Sequence, residues 1–197
     1  MRPVLGVLLI FMVALGGLVS GASARPSGTS IHLYAPFNGS GVARGVRVAK
    51  SASGYCWTTS NTDARADAWR CFVGNNIHDP CFSDTINVAK YVLCPLDTPG
   101  ARVLRINLTK PLPNVSRWTG DPTRYPPWAV QTTGGKWCTF LSGATGLIGG
   151  LRINYGCAGG GILLGNPKRR TSTWTIFYAP NFNSKQFVST SLAAAWW

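Results

Sequence analysis

The chain offers little acid–base chemistry: two histidines, His32 and His78, six aspartates and no glutamate in 197 residues. His78 sits in Asn76-Ile77-His78-Asp79-Pro80, an imidazole beside a carboxylate and a few residues before Ser83. A nucleophile, its base and the group orienting that base must converge from different elements, and adjacent residues of an extended chain point apart. His32 could complete an acid–base pair that, with nearby Lys or Arg, would suit phosphodiester cleavage. The simpler expectation is a turn histidine hydrogen-bonded to backbone. Asp63 and Asp67 fall four apart before an apolar run, where carboxylates favour a helix start and make no case for a glycosidase pair. Nucleophile-elbow, zinc-protease and phosphate-loop motifs are missing. Residues 156–161, GCAGGG, lack dinucleotide-loop spacing and read as a tight turn beside Cys157. With no Cys-x-x-Cys pair and no paired histidines, neither a metal nor a cofactor is expected.

Binding chemistry is better represented. Basic residues neighbour aromatic ones at Arg117-Trp118, Arg124-Tyr125 and Lys136-Trp137, and Lys168-Arg169-Arg170 precedes Trp174. Cations neutralise phosphate or carboxylate, and exposed rings stack on bases or sugars. The competing expectation is that tryptophans in a β domain are core and disulfide cover. The 168–170 tip is the favoured contact. Trp196-Trp197 could dock or protrude.

The compartment follows from the first 24 residues. Arg2, an apolar run over 4–19 and Ala22-Ser23-Ala24 match a secretory signal with cleavage after Ala24. The run is too short and glycine-broken for a membrane span, and no later stretch is long enough, so a secreted, extracellular mature chain is expected. Its six cysteines, Cys56, Cys71, Cys81, Cys94, Cys138 and Cys157, then read as three disulfides. Fifteen pairings are open; nearest-neighbour closure, 56–71, 81–94 and 138–157, is the working expectation. Loss of Arg2 lowers the formal charge from +13 to +12. The excess is uneven: residues 25–62 and 122–197 carry no acid, whereas 63–121 hold all six aspartates. Such a field attracts an anionic cell-wall polymer, an acidic glycan or nucleic acid, or simply keeps the chain soluble. Oligomeric state is open.

These groups must be positioned by β structure, because Val, Ile, Thr and aromatic residues abound, with 23 Gly and 13 Pro. Strands are expected at 31–34, 42–50, 55–59, 86–94, 102–108, 128–132, 136–141, 147–155, 162–164 and 173–178. The 42–50 segment reads as an edge strand with deterrent basic residues, and 51–54 as a turn. A short helix is expected over 64–73, with Ala66, Trp69 and Val73 inward. Residues 111–127 form a long proline-rich connection, 165–172 a hairpin with a basic tip, and 187–197 a last strand or short helix. The pattern predicts an all-β, sandwich or barrel-like, disulfide-stabilised fold with one short helix. Its divisions are a signal at 1–24, a leader and first strands at 25–53, and one domain at 54–197. Sequons occur at Asn38, Asn107 and Asn114.

The stretch Cys56-Trp57 … Arg65-x-Asp67-Ala68-Trp69-Arg70-Cys71 … Gly74-Asn75-x-Ile77-x-Asp79-Pro80-Cys81-Phe82 resembles a Cys/Trp-rich domain of unknown function in exported bacterial proteins. Cys94-Pro95, Pro127-Trp128-Ala129, Arg152-Ile153-Asn154-Tyr155-Gly156-Cys157 and the 174–178 strand resemble its later landmarks. The resemblance spans 54–178 and implies a compartment and a boundary, but no site residues. Three functions follow: a secreted non-catalytic binder of a polyanion or glycan, a small nuclease-like hydrolase using His78, or a structural or protein-interaction module.

Overall fold

The computed structural model describes residues 28–84, 89–97, 100–117 and 120–197. The leader at 1–24, most of the 86–94 strand's first half and Trp118 lie outside them. The fold is all-β, built as two barrel-like sheets in succession.

The first sheet contains β4 (Arg47–Thr59), β5 (Ala68–Val73), β6 (Asn76–Phe82), β7 (Tyr91–Pro95) and β8 (Arg102–Leu108). Each pairs antiparallel with the next, and β8 closes the ring by pairing parallel with β4. Before it come β1 (Ser30–His32) and the ribbon of β2 (Phe37–Asn38) with β3 (Gly41–Val42). Alternation fills the barrel, since Leu104 and Ile106 of β8 meet Cys56, Trp69, Cys71 and Val92.

The second sheet contains β9 (Ala129–Thr132), β10 (Trp137–Phe140), β11 (Leu147–Ile148), β12 (Leu151–Cys157), β13 (Ile162–Lys168), β14 (Thr175–Ala179) and β15 (Val188–Trp196). The last strand closes it: residues 188–191 pair with β14, and 192–196 pair with β9. The chain's beginning joins here, β1 running parallel to β15 with His32 opposite Trp196. Val130, Tyr155, Leu163, Ile176, Leu192 and Trp197 share its main core. A third core joins the barrels through Tyr34, Phe82, Trp128 and Trp196.

The disulfides are Cys56–Cys71, Cys81–Cys94 and Cys138–Cys157, as nearest-neighbour closure requires. Each ties two hydrogen-bonded neighbouring strands, so each reinforces a strand pair within one barrel rather than joining the barrels.

Several local expectations fail for identifiable reasons. Residues 64–73 form a turn and then β5, not a helix. Asp63 Oδ1 accepts from Arg65 N at 3.0 Å, an Asx turn rather than a helix cap. Trp69, Cys71 and Val73 then alternate into the barrel, a period-two pattern that the i, i+3, i+7 reading disguised. Among the described residues the helical element is instead a 3-10 turn, Pro122–Arg124, within the 111–127 connection. Residues 51–54 continue β4. A Cβ at Gly54 would lie 2.1 Å from Phe72 O, so this glycine marks a close strand approach, not a turn. The β4 segment pairs with β8 over 47–54 and with β5 only over 55–59, so residues 47–50 have a ladder partner on one side, as an edge position does. Asp79-Pro80 lies inside β6 with a cis peptide, where the ladder to β5 shifts register. The 187–197 alternative resolves as strand, and Trp197 is fully buried.

Candidate functional site

The residues best equipped for catalysis are not assembled for it. His32 is exposed on β1 and stacks on Trp196, ring centroids 4.9 Å apart. His78 is on β6 of the other barrel, opposite Cys71, and burial lowers its pKa. No contact joins the two among the described residues. The Asp79 carboxylate serves other partners: Ser60 Oγ, Thr62 Oγ1 and Asn61 N donate to it, and Arg70 Nε lies 3.7 Å away. It therefore fixes the 60–63 turn instead of orienting His78. Ser83 is buried and accepts from Trp69 Nε1 at 3.0 Å.

Asp63 and Asp67 also diverge. Arg65 holds Asp67 in an ion pair, while its Nη1 donates to Tyr34 O and its guanidinium lies 4.9 Å from the Phe82 ring centroid. This arginine ties the first barrel to the paired chain ends. Asp63 is 3% exposed, with Oδ2 lacking a hydrogen-bond partner among the described residues. Burial drives its pKa from the ordinary 3.8 to about 7, against the opposing influence of Arg65.

The basic positions that sequence favoured divide into structural and free. Arg169 belongs to the structure: it donates to Thr123 O and Tyr125 O and lies over the Trp174 and Trp197 rings, at 4.7 and 5.1 Å. Trp197 Nε1 donates to the same Tyr125 carbonyl, so the hairpin tip fastens the proline-rich connection down. Burial lowers the Arg169 pKa. Lys168 is exposed with Nζ 4.4 Å from the Phe177 ring, and Arg170 is exposed. Arg117 packs on Trp69 at 5.1 Å, Lys136 reaches Gly160 O at 3.4 Å, and Arg124 is exposed. The Arg169 bonds to Thr123 O and Tyr125 O set exposed Arg124 beside the tip, whereas Arg117 is packed on the first barrel's Trp69. Of the seven described tryptophans, five are buried, as a core role requires.

Sequence reasoning missed a cationic seam along β4 and β8, with β7 on its far side. Their parallel and antiparallel pairing sets Arg47 beside Arg102, and Ser51 beside Arg105, which faces Leu93. Arg47, Lys50 and Arg102 are exposed, as is Arg44 just before β4. The far end carries exposed Lys90 and Lys110. The three strands contain no acidic residue; Asp97, beyond β7, approaches Arg102 Nε at 3.9 Å. At about 3.3 Å per residue, Arg102 and Arg105 lie about 10 Å apart along β8 and, three residues apart, on opposite faces of it. The seam's rings are capped: Arg105 lies 3.9 Å over Tyr91 and Lys110 4.5 Å over Tyr55. Acid-free basic strands were visible in sequence, but the parallel β4–β8 pairing that sets them side by side was not.

Between the barrels lies a cleft of about 860 Å³, walled by Pro80, Leu96, Trp137, Phe140 and Phe182 and floored by the 156–161 turn. Gly159, Gly160 and Gly161 all have positive φ, and a Cβ on Gly161 would lie 2.6 Å from the Tyr178 ring. Neither histidine lines the cleft.

Compared with known proteins, the chain matches no family model, no curated protein sequence and no solved structure.

Proposed function

We propose that this protein is a secreted, non-catalytic module that binds an extended anionic polymer at or outside the cell envelope. The observation carrying this reading is the β4–β8 seam, with Arg47, Lys50 and Arg102 exposed on strands that hold no acid. A closed, disulfide-tied barrel keeps the backbone positions of these charges at fixed spacing, so little backbone entropy is lost when a polymer binds. The arrangement favours repeating phosphate or carboxylate over bases, because Tyr91 and Tyr55 are already covered by cations. Three disulfides fit an oxidising compartment; export itself rests on the leader's pattern and the resemblance described above.

The test is retention of the mature chain on immobilised poly(glycerol phosphate) and on single-stranded DNA. An Arg47/Lys50/Arg102→Ala variant should lose retention on both, while Lys168/Arg170→Ala keeps it. Retention that follows the 168–170 tip instead removes the seam. The hydrolase alternative draws no support from the separated histidines.

A further inference from the structure

We infer that the interbarrel cleft is a second binding site, for a neutral saccharide chain, independent of the cationic seam. The cleft has about 860 Å³, within the size range of small-ligand sites and enough for a short oligosaccharide. Its ring surface is unusual for this protein. Five of seven described tryptophans are buried, yet Trp137 and Phe140 are half-buried at the cleft, and Phe182 is 63% exposed. Leu96 opposite is 39% exposed. Apolar groups left in water on facing walls of one concavity mark a contact surface better than scattered exposure does.

Charge selects among occupants. No Lys or Arg lines the cleft of a chain with formal charge +13, and its ionisable residues are Asp79 and Asp97. A polyanion is therefore disfavoured in the cleft. Asp79 is fully engaged, but Asp97 is one-third exposed and accepts from Arg102 N, which fixes its carboxylate at the rim. Exposed Thr139 adds a hydroxyl. Acceptors beside ring faces complement a sugar, whose hydroxyls donate while its C–H face lies on an aromatic ring. An acyl chain would leave those polar groups unpaired, and a proline-rich peptide brings few donors for them. The walls are stiff: the Cys138–Cys157 disulfide joins the strands beneath, and Cys157 lines the cleft itself.

The experiment titrates the full mature chain with neutral tetrasaccharides (β-1,4-linked glucose, β-1,4-linked N-acetylglucosamine, α-1,4-linked glucose), following tryptophan fluorescence and calorimetry. One of them should bind with an affinity insensitive to salt. Phe182→Ala should weaken it about 2- to 13-fold, the range for one aromatic contact, and Leu96→Ala serves as a second variant, each checked for native circular dichroism. Arg47/Lys50→Ala, which leaves the Arg102–Asp97 ion pair at the rim intact, should weaken polyanion retention and leave saccharide binding unchanged, so failure of the seam and failure of the cleft are separable. Absence of binding to all three sugars, binding unaffected by both cleft variants, or preferential binding of a proline-rich peptide or a fatty acid overturns the inference.

Discussion

Replacing Asp63 by Asn should make the protein more stable at alkaline pH and nearly unchanged in acid. Asp63 is 3% exposed, and Oδ2 has no hydrogen-bond partner among the described residues. Desolvation raises its pKa to about 7, and Asp67 and Asp79 add to that push. The unfolded value is about 3.9. Between about pH 4 and pH 7 the folded chain thus binds more protons than the unfolded one, and stability from this group falls as pH rises. At 1.36 kcal/mol per pH unit the loss reaches about 4 kcal/mol by pH 7 and is constant above it. Asparagine keeps the Oδ1 acceptor used by Arg65 N and cannot ionise. Urea unfolding of both proteins under non-reducing conditions, at pH 4 and pH 8, measures the difference. The variant should match the parent at pH 4 and exceed it by about 2–4 kcal/mol at pH 8. Subtracting the parent removes the contribution of His78, whose pKa is also displaced; Asp79 is coupled to Asp63, and loss of its repulsion is part of the gain at pH 8. A difference independent of pH, or a variant weaker at pH 8, would mean the carboxylate is paired in solution and the reasoning is wrong.

Three further outcomes follow from the packing. Cys56→Ala/Cys71→Ala opens a loop of sequence separation 15 and should cost about 3 kcal/mol in urea unfolding, although the β4–β5 ladder remains. Gly161→Ala combines φ of +97° with a clash against Tyr178 and should cost about 1–3 kcal/mol, lowering the melting temperature without altering the disulfides. Arg169→Ala should expose the 122–125 turn to limited proteolysis, whereas Arg170→Ala should not, because Arg169 and not Arg170 donates to its carbonyls.

The fold class and the disulfide pairing were legible because both are local. Alternation in 102–108 is a property of seven consecutive residues, and each cysteine pair is at most 19 positions apart and joins adjacent strands. What escaped depended on distant pairing. Residues 64–73 carry helix formers, yet the Asx turn at Asp63 and the ladder to β4 override them. The tip at 168–170 looked free because nothing in sequence shows that Thr123 and Tyr125 present carbonyls to Arg169. The seam needs Arg47 and Arg102, 55 positions apart, to become neighbours. The cleft needs two barrels to meet, which no period in the sequence encodes.

The most direct test of anionic-polymer binding is its salt dependence. Retention constants for poly(glycerol phosphate), plotted as log K against log salt, give a slope of about −0.7 per neutralised charge if it behaves as a single-stranded polyanion. Arg47/Lys50/Arg102→Ala should flatten that slope by about 2 relative to the parent chain. An unchanged slope, with affinity intact, would show that the polymer does not lie on the seam.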